Sequence, residues 1–111
     1  MRLEQNFSRE LVELLRLERL AFAAKLRLGR AVLGWSQSEL AARVGLTQRA
    51  IHKLEQGDTE PRRATVCATE EIWRAEGIEF EELGGGSFRV TVRAPVLERS
   101  AHQRKRRARY S

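Results

Sequence analysis

Five polar side chains between residues 48 and 56 have the types and spacing needed to contact a nucleic acid. On a helical wheel they share an arc of roughly 140°, with aliphatic residues opposite. Gln and Arg make paired hydrogen bonds to adenine and guanine edges in the major groove of DNA. An ordinary amphipathic surface helix has a similar pattern, so both interpretations start open. The five residues are Gln48, Arg49, His52, Lys53 and Gln56.

Two short helices joined by a tight turn are predicted to position these side chains. The first begins at the N-cap Ser36, with Glu39 three residues later as in a capping box. Gly45 ends that helix, because glycine readily takes the left-handed backbone conformation. Thr47 is the expected N-cap of the second helix, whose aliphatic side around Ile51 faces the protein.

The sequence from residue 36 to residue 57 resembles the phage repressor and Cro type of helix-turn-helix, the XRE family. The resemblance extends over residues 21–77 and implies a mainly α, lambda-repressor-like helical bundle. It is more specific than a generic helix-turn-helix, because several positions agree at once. The matching positions are Ser36, Gln37, Leu40, Ala41, Gly45, Ile51 and residues 54–57.

The resemblance implies that the second helix contacts base edges and that residues around it contact phosphates. Thr47 is included because a helix N-terminus presents free backbone N–H groups to anions. The base contacts are Gln48, Arg49 and Lys53, and the phosphate contacts are Gln37, Thr47 and Arg62.

Three further residues complete the predicted site. The resemblance pairs Arg30 with Glu55 as a structural ion pair, which explains a carboxylate on a DNA-facing helix. His52 is not a usual specificity position in the family, so it stays a candidate DNA contact without an assigned role. His52 and Glu55 also have a spacing that suits a metal, but two ligands are too few. No metal, cofactor or catalytic residue is therefore predicted, and an enzyme is not expected.

Charge and length limit the remaining possibilities. The 111 residues carry a net charge of +6, of which residues 94–111 hold +5. The predicted folded part is thus almost neutral, and its DNA-binding argument depends on where side chains lie. No long apolar run or signal peptide is present, which predicts a cytoplasmic protein without a membrane partner. Cys67 is expected to be a small buried residue.

The sequence divides into four predicted segments. Residues 1–20 form a helical extension, with a helical pattern from about Ser8, and residues 21–77 form the DNA-binding domain. This extension is either a docking or dimerising helix or a helix that packs on its own domain. The first interpretation follows from heptad spacing at Leu14, Leu17, Ala21, Ala24, Leu28 and Ala31. Within the domain, Trp73 is expected in the core, and the Thr69 hydroxyl must find a backbone carbonyl or the surface.

The two C-terminal segments are a β-hairpin over residues 78–93 and a basic flexible tail over residues 94–111. Alternating apolar residues flank three glycines, which is typical of a hairpin rather than a phosphate-binding loop. An isolated hairpin is marginal in water, so it packs on the helices or pairs across a dimer, and we favour the dimer. The basic cluster at residues 104–109 either attracts phosphates or keeps the protein soluble.

These observations predict a bacterial, nucleoid-associated regulator of transcription that binds double-stranded DNA as a homodimer and acts as a repressor. A first alternative is an antitoxin that binds its own promoter and holds a toxin through the N-terminal helix. A second is a non-specific nucleic-acid-binding protein that acts through its basic tail.

Overall fold

Five helices and one two-stranded hairpin form the described part of the chain in a computed structural model. It describes the backbone of residues 2–110 and the side chains of residues 8–102. The mainly α fold with a helix-turn-helix and a C-terminal hairpin is as predicted. The elements are α1 Arg2–Leu33, α2 Gln37–Val44, α3 Gln48–Glu55, α4 Arg63–Glu76, β1 Ile78–Gly84, β2 Ser87–Val92 and α5 Ala94–Tyr110.

The hydrophobic core lies where α1, α2, α3 and α4 meet. Leu26, Leu40 and Ile51, one each from α1, α2 and α3, are completely buried. From α4, Trp73 is 2% exposed, and its ring centroid lies 6.1 Å from that of Trp35. The prediction that Trp73 belongs to the core is therefore confirmed. This core fixes the aliphatic side of α3 against the protein, which leaves the opposite side of that helix for solvent.

Gly29 lets α1 and α4 approach each other closely. A Cβ atom at position 29 would lie 2.6 Å from the ring of the buried Trp73. We expect Gly29→Ala to lower the free energy of unfolding, because overpacking costs about 1–3 kcal/mol and alanine gains only about 1 kcal/mol in helix propensity. Urea denaturation measures the change. The loss should shrink in a Trp73→Phe background, and an equal loss there would contradict the explanation.

The N-terminal extension and the first helix of the domain are one continuous helix. The sequence predicts a helical pattern from about Ser8, whereas α1 already begins at Arg2 and runs for 32 residues. Leu11, Val12 and Leu14 are 46%, 62% and 38% exposed, so the N-terminal part of α1 leaves the bundle. Nearer the bundle, α1 contacts the hairpin. Gly86 lies so close to Leu17 that a Cβ atom at position 86 would be 3.0 Å from the Leu17 side chain.

The hairpin packs on the protein's own helices. In its antiparallel register Ile78 pairs with Val92 and Phe80 pairs with Val90. The Phe80 ring meets Trp73 of α4 edge-on at 6.4 Å. The hairpin differs from the predicted segment of residues 78–93 only at its C-terminal end, because β2 stops at Val92. Two ways to stabilise the hairpin were predicted, namely packing on the helices and pairing across a dimer. The structure of the single chain shows the first.

Lys25 ties the hairpin to α1. Its Nζ donates a hydrogen bond of 2.7 Å to Oε1 of Glu82 and lies 5.2 Å from the ring centroid of Phe88. Only 13% of the Lys25 side chain is exposed, which weakens competition from water. The ammonium therefore joins a carboxylate and an aromatic face of the hairpin to the helix.

The prediction of a flexible tail from residue 94 was wrong, because residues 94–110 form α5. Proline is allowed in the first turn of a helix, where its missing N–H has no partner to lose, so Pro95 does not oppose this start. Val96 is 3% exposed, and its Cγ2 lies 2.5 Å from the position that a Cβ atom of residue 77 would occupy. Arg93 N donates to the Gly77 carbonyl at 3.0 Å. The side chains of the basic cluster at residues 104–109 lie outside the described residues.

Two residues of α4 have different surroundings although they are close in sequence. Thr69 is 1% exposed, and its hydroxyl donates to the carbonyl of Val66 at 2.8 Å. The expected backbone partner of Thr69 is thus present. Cys67 is exposed, so the expectation that it is buried was wrong. Cys67 and Thr69 are two residues apart, so they point in directions that differ by about 200° around the helix. Because the buried Trp73 holds the side of α4 with Thr69 toward the core, Cys67 faces solvent.

Candidate nucleic-acid interface

The turn between α2 and α3 has the geometry that its sequence predicts. Ser36 is the N-cap of α2, and its Oγ accepts a hydrogen bond of 3.0 Å from the backbone N–H of Glu39. At the other end, Gly45 has a φ of +72°, a conformation that strains any residue with a Cβ. The N–H of Leu46 then donates to the Ala41 carbonyl at 2.9 Å. These bonds fix the direction in which the chain enters α3.

Helix α3 presents one polar side to solvent. Thr47 is its N-cap, with Oγ1 accepting from the Ala50 N–H at 3.1 Å. Ile51 and Leu54 are 0% and 7% exposed and hold the helix against the core. The five polar residues predicted to share one side are all exposed, namely Gln48, Arg49, His52, Lys53 and Gln56.

A partly buried ion pair joins α3 to α1, with the Arg30 side chain 22% exposed and that of Glu55 6% exposed. Arg30 donates from Nε and Nη2 to the two carboxylate oxygens of Glu55, both at 2.7 Å. Its Nη1 donates to the carbonyl of Trp35 at 3.0 Å, just before α2. The hydrogen bonds to Glu55 raise the pKa of Arg30 above its ordinary value, against the opposite effect of desolvation. The pair that the resemblance implies is present and fixes the end of α3 opposite its N-cap.

Gln37 lies where α2 begins and extends toward α3. Its Nε2 donates to Oε1 of Glu55 at 3.3 Å and lies 3.4 Å from Nδ1 of His52. On the other side of the imidazole, Nε2 of His52 lies 3.2 Å from the side-chain amide of Gln56. The spacing of four residues between His52 and Gln56 is visible in the sequence. The connection to Gln37 is not, because it depends on the angle between two helices.

The two other residues expected to contact phosphate flank α3. The Thr47 side chain is exposed, although its Oγ1 already caps the helix. Arg62 immediately precedes α4, is exposed and makes no side-chain capping hydrogen bond to that helix. An exposed guanidinium suits a phosphate contact, because Arg pairs with phosphate oxygens in a forked geometry.

The arrangement can bind an extended anionic partner. The helix N-termini at Ser36 and Thr47 provide backbone N–H donors, and the first residue of α2, Gln37, lies beside the exposed His52 of α3. Within residues 8–102, no three His, Cys, Asp or Glu side chains are grouped closely enough to hold a metal ion. The helices of the described part also include none with the length and hydropathy to cross a bilayer.

Residues 26–68 match the family model described as helix-turn-helix. The match covers α2 and α3 with the adjoining parts of α1 and α4. The chain therefore contains a helix-turn-helix domain of the XRE type, which is a regulatory DNA-binding domain of transcription factors. No curated protein and no solved structure matches the chain in the corresponding comparisons.

Proposed function

We propose that this protein is a sequence-specific repressor of transcription that inserts α3 into the major groove of its operator. The observation that carries the proposal is the two-sided character of α3. Its polar side is exposed, whereas Ile51 and Leu54 are buried and the Arg30–Glu55 pair fixes its end. A rigid helix of this kind can enter the groove without rearrangement of the core.

Phosphate contacts would supply the affinity that does not depend on sequence. The N–H groups at the N-termini of α2 and α3 and the guanidinium of Arg62 are available for them. Each phosphate that a cation neutralises releases counterions, so binding should weaken steeply as the salt concentration rises.

Base contacts would supply the specificity. Gln48 suits adenine, and Arg49 and Lys53 suit guanine, because their donors match the edges of those bases. Selection of bound sequences from a random DNA pool at a stated salt concentration tests the proposal. A symmetric consensus with two half-sites is expected, and recovery of unenriched sequences would overturn sequence-specific binding.

We place the proposed dimer contact on the N-terminal part of α1. A single α3 spans few base pairs, so a two-fold dimer on half-sites about 34 Å apart is expected. Leu11, Val12 and Leu14 are the exposed apolar residues closest to the N-terminus within the described side chains. The hairpin is a weaker choice than the sequence predicted, because Ile78 and Phe80 already pack within the chain.

The double substitution Leu11→Glu and Val12→Glu should therefore weaken dimerisation by at least tenfold, since it places like charges in an apolar contact. Sedimentation equilibrium over a concentration series measures the effect. The matched control is Leu83→Glu, which adds a carboxylate to an exposed leucine of the hairpin. A control that dissociates as readily as the double variant would move the interface to the hairpin.

The exposed leucines of α1 also favour a second function, that of an antitoxin whose N-terminal helix holds a toxin. Co-purification of a stoichiometric small protein from the native host, lost in the Leu11→Glu and Val12→Glu variant, would support it. Either function would operate in the bacterial cytoplasm beside the nucleoid. A third possibility, non-specific binding through residues 104–109, predicts that neutralising this cluster abolishes all DNA binding, whereas the repressor keeps its base preference.

A further inference from the structure

A series of side chains leads from the Arg30–Glu55 ion pair to the solvent side of α3. Glu55, whose side chain is 6% exposed, accepts from Arg30 and also from Gln37. Gln37 in turn lies against His52, and His52 lies against Gln56. The partners of each group determine which atoms donate and which accept.

Glu55 determines the orientation of the Gln37 amide. A carboxylate paired with a guanidinium is an acceptor only, so the group that faces it must be a donor. The Gln37 atom 3.3 Å from Oε1 of Glu55 is therefore the NH₂ nitrogen. The second hydrogen of that NH₂ group is directed to Nδ1 of His52, 3.4 Å away.

Gln37 in turn selects one tautomer of His52. When Nδ1 accepts from the Gln37 amide, the ring hydrogen is on Nε2. The Gln56 atom that lies 3.2 Å from His52 Nε2 is the amide nitrogen, so the Gln56 amide must turn by 180° for its oxygen to accept that hydrogen. Both hydrogens of the Gln37 amide are then in use.

Phosphate oxygens only accept hydrogen bonds, so a side chain that binds them needs a free donor. To donate to a phosphate, the Gln37 side chain must give up Glu55 or His52, and the bond to the exposed His52 is the longer one. We propose that His52 is a positioning residue that withholds the Gln37 amide from the DNA backbone while its ring is neutral. The proposal rests on the proposed DNA-binding function.

A second proton on His52 should release Gln37. An imidazolium has no lone pair on Nδ1 and faces the NH₂ group as another donor, so the Gln37 hydrogen becomes available to phosphate. The charged residues within one helical turn of His52 on α3 are Arg49, Lys53 and Glu55, and α2 contributes the neutral Gln37. Arg30 of α1 is paired with Glu55.

The test uses the full chain with His102→Gln, which leaves His52 as its one imidazole. Its probe is a 30-base-pair duplex of mixed sequence, because phosphate contacts do not require the operator. At pH 8, His52→Ala should bind this duplex about three- to tenfold more tightly than the parent, the value of one net hydrogen bond. The gain should vanish when Gln37→Ala is also present. Fluorescence anisotropy measures all four affinities.

Two control variants separate positioning from other effects. His52→Gln keeps an acceptor for Gln37 but cannot become charged. Its affinity for the duplex should equal that of the parent at pH 8. When the pH is lowered to 5.5, its affinity should rise less than that of the parent. Gln56→Ala removes the partner of the other ring nitrogen and should leave the effect of Gln37 unchanged. Long-range ¹H–¹⁵N spectra of the free parent should give the tautomer with hydrogen on Nε2, and Gln37→Ala should shift the Nδ1 resonance.

The outcomes distinguish this inference from the function on which it rests. The positioning role is refuted, while DNA binding stands, if His52→Ala raises the affinity for the duplex equally with and without Gln37. It is also refuted if His52→Ala does not raise the affinity at all. A neutral ring with its hydrogen on Nδ1 would refute it as well. If neither the parent nor any variant binds the duplex at low salt, the proposed function itself fails.

Discussion

Replacing Arg30 with alanine is expected to lower the free energy of unfolding by about 3–5 kcal/mol, the cost of leaving a buried carboxylate without its cation. Glu55 is 6% exposed in its side chain and would lose both 2.7 Å bonds from Arg30. The carbonyl of Trp35 would lose its guanidinium donor too. Urea denaturation followed by tryptophan fluorescence measures the change, and much of the stability of a domain this small should disappear.

Two further variants test the cause. Arg27→Ala removes the same type of side chain from an exposed position of α1 and should change the free energy by no more than about 0.5 kcal/mol. Replacing both partners, with Arg30→Met and Glu55→Leu, should recover most of the loss because no unpaired charge remains. A double variant as unstable as Arg30→Ala would show that the pair acts by something other than charge compensation.

Arg49→Ala should change which DNA sequences the protein selects. Its side chain is exposed at the start of α3, and a good paired contact to guanine gives about 1–3 kcal/mol of discrimination. We therefore expect the preference at one position of each half-site to relax, by about five- to 150-fold in the ratio of affinities. Competition binding between the selected operator and a version altered at that base pair measures the ratio.

The matched control for this prediction is Arg89→Ala. Arg89 is exposed on the hairpin, pairs with Glu81 at 3.2 Å and lies outside the helix-turn-helix. It should leave the selected consensus unchanged. A consensus that survives Arg49→Ala intact would remove this residue from the base-contacting set, and an altered consensus in the control would point to an indirect effect of lost charge.

The elements whose signals are local were predictable from the sequence. The capping residues Ser36 and Thr47 define where α2 and α3 begin, because each bonds to an N–H only three residues away. Gly45 defines where α2 ends for an equally local reason, its positive φ. The polar side of α3 follows from helical periodicity once those limits are fixed.

The features that the sequence did not predict depend on distant partners. The start of α5 is stabilised because Val96 packs on Gly77 and Arg99 donates to the carbonyl of Glu76, and neither contact has a short-range signal. The exposure of Cys67 follows from the rotation of α4, which Trp73 fixes against α1. The partner of His52 likewise depends on how α2 crosses α3.

The unbroken course of α1 has a mechanical consequence. At about 1.5 Å per residue its 32 residues make a rod of about 48 Å, with Arg30 near one end and Leu11 far out toward the other. Without a proline or a glycine before residue 29, the rod offers no hinge. A partner bound at the N-terminal end of α1 would therefore rotate the helix-turn-helix domain together with this helix, as one rigid body.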